Sequence, residues 1–157
     1  MKVDIKRLKQ SHWSKLEAHN AEIVADFVDS LMNRHDFDYI QGLFNENSVY
    51  LQHNRGIADG IGELLDYIRH ICKQFPEYGY DVKQIIADGD RIIFHSHVTL
   101  KAKHRKNDNK GLVIMDVWRL EEGKIIEHWD AIQPLNFMLR LLFLFRGGRV
   151  RNNNGLA

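Results

Sequence analysis

The chain has 157 residues, enough for one domain that buries a core without disulfide or metal staples. Hydrophobic residues make up 44% and charged residues 27%, and the formal net charge is +1, too little to draw nucleic acid or anionic lipid to the molecule as a whole. The single cysteine, Cys72, excludes an internal disulfide and suits a reducing compartment.

The opening MKVDIKRLKQ is charged and has no apolar stretch behind it, so it does not read as a signal peptide. No segment reaches the ~20 apolar residues of a membrane span, and a cytoplasmic location is expected. Residues 14–34 read as a helix, with a capping box between Ser14 and Glu17 and a stripe of Leu16, Ile23, Val24, Phe27, Val28 and Leu31. Residues 35–44 read as a short second helix and 47–54 as a strand. Asp59 is expected to cap a third helix, which carries Ile61, Leu64, Leu65, Ile68, Ile71, Cys72 and Phe75 and stops at Pro76.

The hydrophobic period then changes from 3.6 to 2. Strands are expected over 80–87 and 91–101, joined by a DGD turn, and over 111–120 and 124–133, joined around EEG. Three N-terminal helices against a mainly antiparallel sheet make an α+β domain over residues 1–135. Residues 136–157 form an apolar tail with a disordered end. The cluster from Phe137 to Phe145 is too short to span a bilayer. It needs cover from its own domain, a partner subunit or a membrane surface.

Strand side chains alternate between faces. His128 and Asp130 then share one face of the last strand, and Ile114, Asp116, Trp118 and Leu120 one face of the strand before it. Val113, Met115 and Val117 make the opposite face apolar as well, which calls for a second subunit. A three-residue loop, Glu121-Glu122-Gly123, would set Leu120 against Lys124, Asp116 against His128 and Ile114 against Asp130. Directly opposed side chains lie ~5 Å apart at Cβ, so an Asp116–His128 pair is expected, with Asp130 diagonal to Asp116. A two-residue turn would break this register. Tyr50, Gln52, His53 and His97 are further candidates for an apolar pocket with a few convergent polar groups.

The phrases HDFDYIQGLF at 35–44, YLQHNRGIADG at 50–60 and VIMDVWRLEEGKIIEHWDAIQP at 113–134 resemble the NTF2-like superfamily, in particular its SnoaL-like branch of polyketide-cyclase relatives. The resemblance covers residues 14–134. It implies a cone in which a curved sheet wraps a long N-terminal helix, and homodimers formed through the outer sheet face. It also implies that an acidic residue on the last strand, here Asp130, serves as acid/base in aldol ring closure without cofactor or metal. The histidine that those cyclases carry on the preceding strand is not matched, since the inward positions are Asp116 and Ile114.

Asp130 and His128 are accordingly the candidate catalytic residues. Asp116, Trp118, His53, Gln52, Tyr50 and His97 are the candidate substrate contacts. Burial of Asp130 away from a cation favours its protonated form, as a general acid/base requires. The alternative is a satisfied polar network that only specifies the fold. His95 and His97 share a strand face and, with His53 and His128, have the makings of a zinc site. No cysteine joins them, and no metal or other cofactor is expected. The basic run KAKHRK, 101–106, reads as a solvated hairpin tip and not a nucleic-acid surface. The expected activity is ring closure or isomerisation of a hydrophobic carbonyl compound. A non-enzymatic ligand-binding or assembly module is the rival class.

Overall fold

The structure, a computed structural model, describes residues 1–53 and 56–146. The expectations for Asn54 and for the end of the tail lie outside the described residues. The elements in order are α1 (Ile5–Leu8), α2 (Lys15–Val28), a π-helical turn (Asp29–Arg34), α3 (Phe37–Gly42), β1 (Leu51–Gln52), α4 (Ile61–Gln74), β2 (Gly79–Asp88), β3 (Arg91–Thr99), β4 (Leu112–Glu121), β5 (Lys124–Pro134) and α5 (Phe137–Arg146).

The expected capping box starts α2: Ser14 accepts from the Glu17 amide, and the Glu17 carboxylate accepts from the Ser14 amide. Its apolar stripe buries Val24, Phe27, Val28 and Leu31 against the sheet. Phe27 meets Trp118 of β4 edge-on with ring centroids 5.2 Å apart, and full burial of one such ring contributes roughly 2–3 kcal/mol. The helix continues into the π-helical turn and ends at His35, whose left-handed φ of 55° releases the chain towards α3. The expected 21-residue helix is thus present but changes type part-way along.

Asp59 does not cap α4. Its Oδ1 accepts from the Gln52 backbone amide at 2.9 Å, and Gly60 precedes the helix with no side-chain cap. The carboxylate is spent on holding the first strand in place. That strand is also shorter than expected, only Leu51 and Gln52, and it pairs parallel to the end strand β5.

The five strands form one mixed sheet in the order β1-β5-β4-β3-β2, with the three longer pairings antiparallel. This is the expected α+β architecture, an open curved sheet with α2 against its inner face. β2 bulges between Val82 and Gln84, leaving Lys83 without a ladder partner at the sheet edge.

The β4–β5 hairpin departs from expectation. Glu121 pairs with Lys124, so the loop has two residues, Glu122 and Gly123, both left-handed at φ 49° and 75°. Such turns match the right-handed twist of paired strands, where two-residue turns of types I and II would splay them. Leu120 then faces Ile125, while Arg119 faces Glu127, so Ile126 bulges out of the ladder. The two-residue turn sets Ile125, a residue expected on the outer face, opposite inward Leu120, and the bulge returns His128 and Asp130 to the inner face.

Gly111 enters β4 at φ 92°, where a Cβ would lie 2.2 Å from the Val98 carbonyl oxygen. Neither the dihedral nor the backbone contact admits a side chain. Gly111→Ala is expected to cost about 2 kcal/mol or more, read as a lower urea midpoint with an unchanged slope.

Candidate active site

Three strands bring the polar residues together on the inner face. Asp116 of β4 lies directly opposite Asp130 of β5, and Trp118 directly opposite His128. The expected pair of Asp116 with His128 is present, but on a diagonal: His128 Nε2 is 3.1 Å from Asp116 Oδ1. Asp130, expected on the diagonal, is the direct neighbour of Asp116. Asp116, His128 and Asp130 are 1%, 3% and 8% exposed, so Asp130 is the most accessible of the three.

The hydrogen bonds fix one ring proton of His128. Gln52 donates from Nε2 to the His53 carbonyl oxygen, which leaves its Oε1 to accept from the Tyr50 hydroxyl and from His128 Nδ1, each at 3.1 Å. His128 Nδ1 therefore carries a proton. Its Nε2 shares another with Asp116, either as an imidazolium donating to a carboxylate or as an imidazole accepting from a carboxylic acid.

Trp118 lies flat against His128, with centroids 3.6 Å apart and planes 7° apart, and is wholly buried. It backs the imidazole from within the core and does not line the cavity. Tyr50 likewise acts through Gln52.

His53 and His97 do not join this group. His53 turns to the outer face, where Nε2 is 2.8 Å from Glu127 Oε1 and the ring stacks on Trp129 at 4.4 Å. Glu127 Oε2 also accepts from Arg119 at 2.5 Å. His97 lies on the outer side of β3 with Nε2 2.7 Å from the Lys110 carbonyl oxygen. Both histidines take protein partners because the strand alternation turns them away from α4.

Asp116, His128, Asp130 and Gln52 sit in the wall of a cavity of about 320 Å³, counted with its mouth, between the sheet, the π-helical turn and α4. The water-sized space inside is about 20 Å³, room for about one water molecule. The remaining wall is apolar apart from Tyr67, Tyr78 and Tyr80. These phenols are absent from the sequence reading. Tyr80 was open to detection, since it opens the expected strand 80–87 in phase with inward Val82.

One ligand atom each from Asp116, His128 and Asp130 lies within 4.8 Å of the others, a spacing that suits a divalent cation. The His128 Nε2–Asp116 bond is the competing use of the same atoms.

A second charged cluster occupies the outer face. Burial pushes the Glu127 carboxyl up, but hydrogen bonds from Arg119 and His53 and their charges outweigh it and hold the group below the usual carboxylate range.

The model of the SnoaL-like domain matches residues 24–128. No match is found among curated proteins. Among solved structures, a provisionally assigned SnoaL-like polyketide cyclase from Jannaschia sp. CCS1 superposes with a TM-score of 0.63 at 16% identity, covering 85% of this chain and 96% of that one. AclR of Streptomyces galilaeus, a provisionally assigned hydroxylase, gives 0.60 at 19% identity over 85% of this chain and 95% of that one. An NTF2-like protein of unknown function from Cytophaga hutchinsonii gives 0.57 at 18% identity, over 79% and 94%. At these identities the likeness is one of fold.

The depressed Glu127 adds stability that is full above its ordinary value of 4.5 and is lost as pH falls through the lower folded-state value. Glu127→Gln is therefore expected to flatten the fall in urea midpoint between about pH 6 and about pH 3.5.

Proposed function

The chain belongs to the SnoaL-like domain family, and from that membership and the setting of Asp130 we propose a small-molecule enzyme of cofactor-free acid/base chemistry. Its substrate is a small hydrophobic compound bearing carbonyl groups, and its reaction is aldol ring closure or isomerisation. The observation that carries the reading is Asp130, the most accessible member of a buried Asp116–His128–Asp130 group in a cavity wall.

Asp130 takes the proton from a carbon beside a carbonyl, and the C–H electron pair moves onto the carbonyl oxygen as an enolate. In ring closure the enolate carbon forms a bond to a second carbonyl carbon of the same molecule. Asp130 returns the proton to the resulting alkoxide. In isomerisation the proton returns to a different carbon. His128 has both ring nitrogens engaged, by Gln52 and Asp116, so it acts by holding Asp116. Tyr67 and Tyr80 are the donors we assign to the enolate oxygen.

The probe is deuterium uptake from D2O into small methyl ketones, whose α-protons exchange slowly unaided. Asp130→Asn is expected to lower the catalysed exchange by about 10²–10⁴-fold, and EDTA to leave it unchanged. Exchange at the wild-type rate in that variant removes Asp130 from the role. Loss with EDTA moves the same three residues to a metal site.

A ligand-binding or assembly module without chemistry is the second reading, favoured by the water-sized interior of the cavity. Ketone binding without exchange in the wild-type protein would select it.

The partner we propose for the outer sheet face is a second copy of the chain. Ile86 and Met115 are exposed there, 44% and 39%, beside partly exposed Ile93, Val113 and Val117. Met115→Glu is expected to turn a dimer into a monomer by sedimentation velocity at micromolar concentration, with the melting temperature of the monomeric fold retained. A wild-type monomer would overturn the dimer.

A further inference from the structure

Helix α5 is apolar on the side that faces away from the domain. Leu139 and Phe143, one turn apart, pack against the core, whereas Phe137, Met138, Leu144 and Phe145 are 74%, 68%, 76% and 77% exposed. With 3.6 residues per turn, Leu144, Phe137, partly covered Leu141, Phe145, Met138 and Leu142 follow one another around the outward side. The domain thus covers only a narrow stripe of this helix. Among the described residues no helix is long and apolar enough to cross a membrane, and α5 has only ten residues.

Charge identifies the occupant. Four of the 22 basic residues, Arg140, Arg146, Arg149 and Arg151, and none of the 21 acidic ones follow Asp130. The segment after Asp130 is net +4, and the remainder of the chain is net −3, although the whole is nearly neutral. A second copy of this tail is a poor match, since two segments of like charge repel. An exposed row of phenylalanine, leucine and methionine, in a segment whose sequence carries arginines and no acid, has the chemistry of an interfacial helix.

We propose that α5 lies on an anionic lipid surface, with its outward apolar side at the boundary between headgroups and acyl chains, exposed Arg140 at the lipid phosphates and the net positive charge of the segment adding to the attraction. The domain docks to the membrane through this helix and does not cross it. This anchoring is independent of the chemistry assigned to Asp130.

The test uses the full chain and vesicles of phosphatidylcholine, with and without phosphatidylglycerol, in a sedimentation assay. The chain is expected to sediment with the anionic vesicles, at least about tenfold more tightly than with the neutral ones, and to be released by salt. Leu144→Glu with Phe145→Glu removes two exposed side chains and is expected to abolish binding without changing the melting temperature. Arg149→Glu with Arg151→Glu, which leaves the apolar row intact, is expected to weaken anionic binding by about tenfold or more. Absence of vesicle binding, equal binding to neutral and anionic vesicles, or a Leu144/Phe145 variant that changes only the oligomeric state would each overturn the proposal.

Discussion

The β4–β5 hairpin carries two departures from a plain ladder, and they act together. A two-residue turn alone would shift the pairing by one residue relative to the expected loop. Because side chains alternate with a period of two, that shift would send His128 and Asp130 to the outer face. The bulge at Ile126 adds the compensating residue. The result keeps the polar groups inward and moves each by two positions along β4. Asp130 therefore meets Asp116 and not Ile114, and His128 rests on Trp118.

From that register follows a line of dependence that runs to the edge of the sheet. Asp116 faces Asp130, and the diagonal His128 shares a proton with Asp116. The imidazole is oriented by Gln52, whose amide is oriented in turn by the His53 carbonyl and the Tyr50 hydroxyl. Gln52 is held by its own backbone, which Asp59 binds from the loop before α4. Each member is buried or engaged, so the group resembles a fixed electrostatic environment more than a set of mobile side chains.

The periodic parts of this molecule were legible in its sequence, and the contingent parts were not. The inward face of β4 follows from strict alternation, and the start of α2 from its capping box, since each depends on a few adjacent residues. The turn at Glu122-Gly123 depended on a non-glycine residue adopting positive φ, a choice that Glu does not advertise. The bulge at Ile126 left no local mark at all. Asp59 had two legitimate uses, and only the position of Gln52 decided between them. His53 and His97 were attractive as polar strand residues near an expected pocket, yet their faces were set by parity and their partners by distant residues. The meeting of Asp116, His128 and Asp130 was recognisable because all three lie on one hairpin. The phenols of Tyr67 and Tyr80 come from separate elements, and nothing local in the sequence joins them to that hairpin.

The two edges of the sheet have an effect on how copies of this chain can meet. β1 offers two residues to a newcomer, and β2 is broken by its bulge, with Lys83 standing at the break. An incoming strand would find no long, straight row of amides and carbonyls to zip onto, and it would have to bury a cation where the row is interrupted. Among the described residues, both edges resist growth by strand addition, the route to fibrils and runaway aggregates. Contacts between copies are left to surfaces that meet side chain to side chain, where shape and charge can choose the partner.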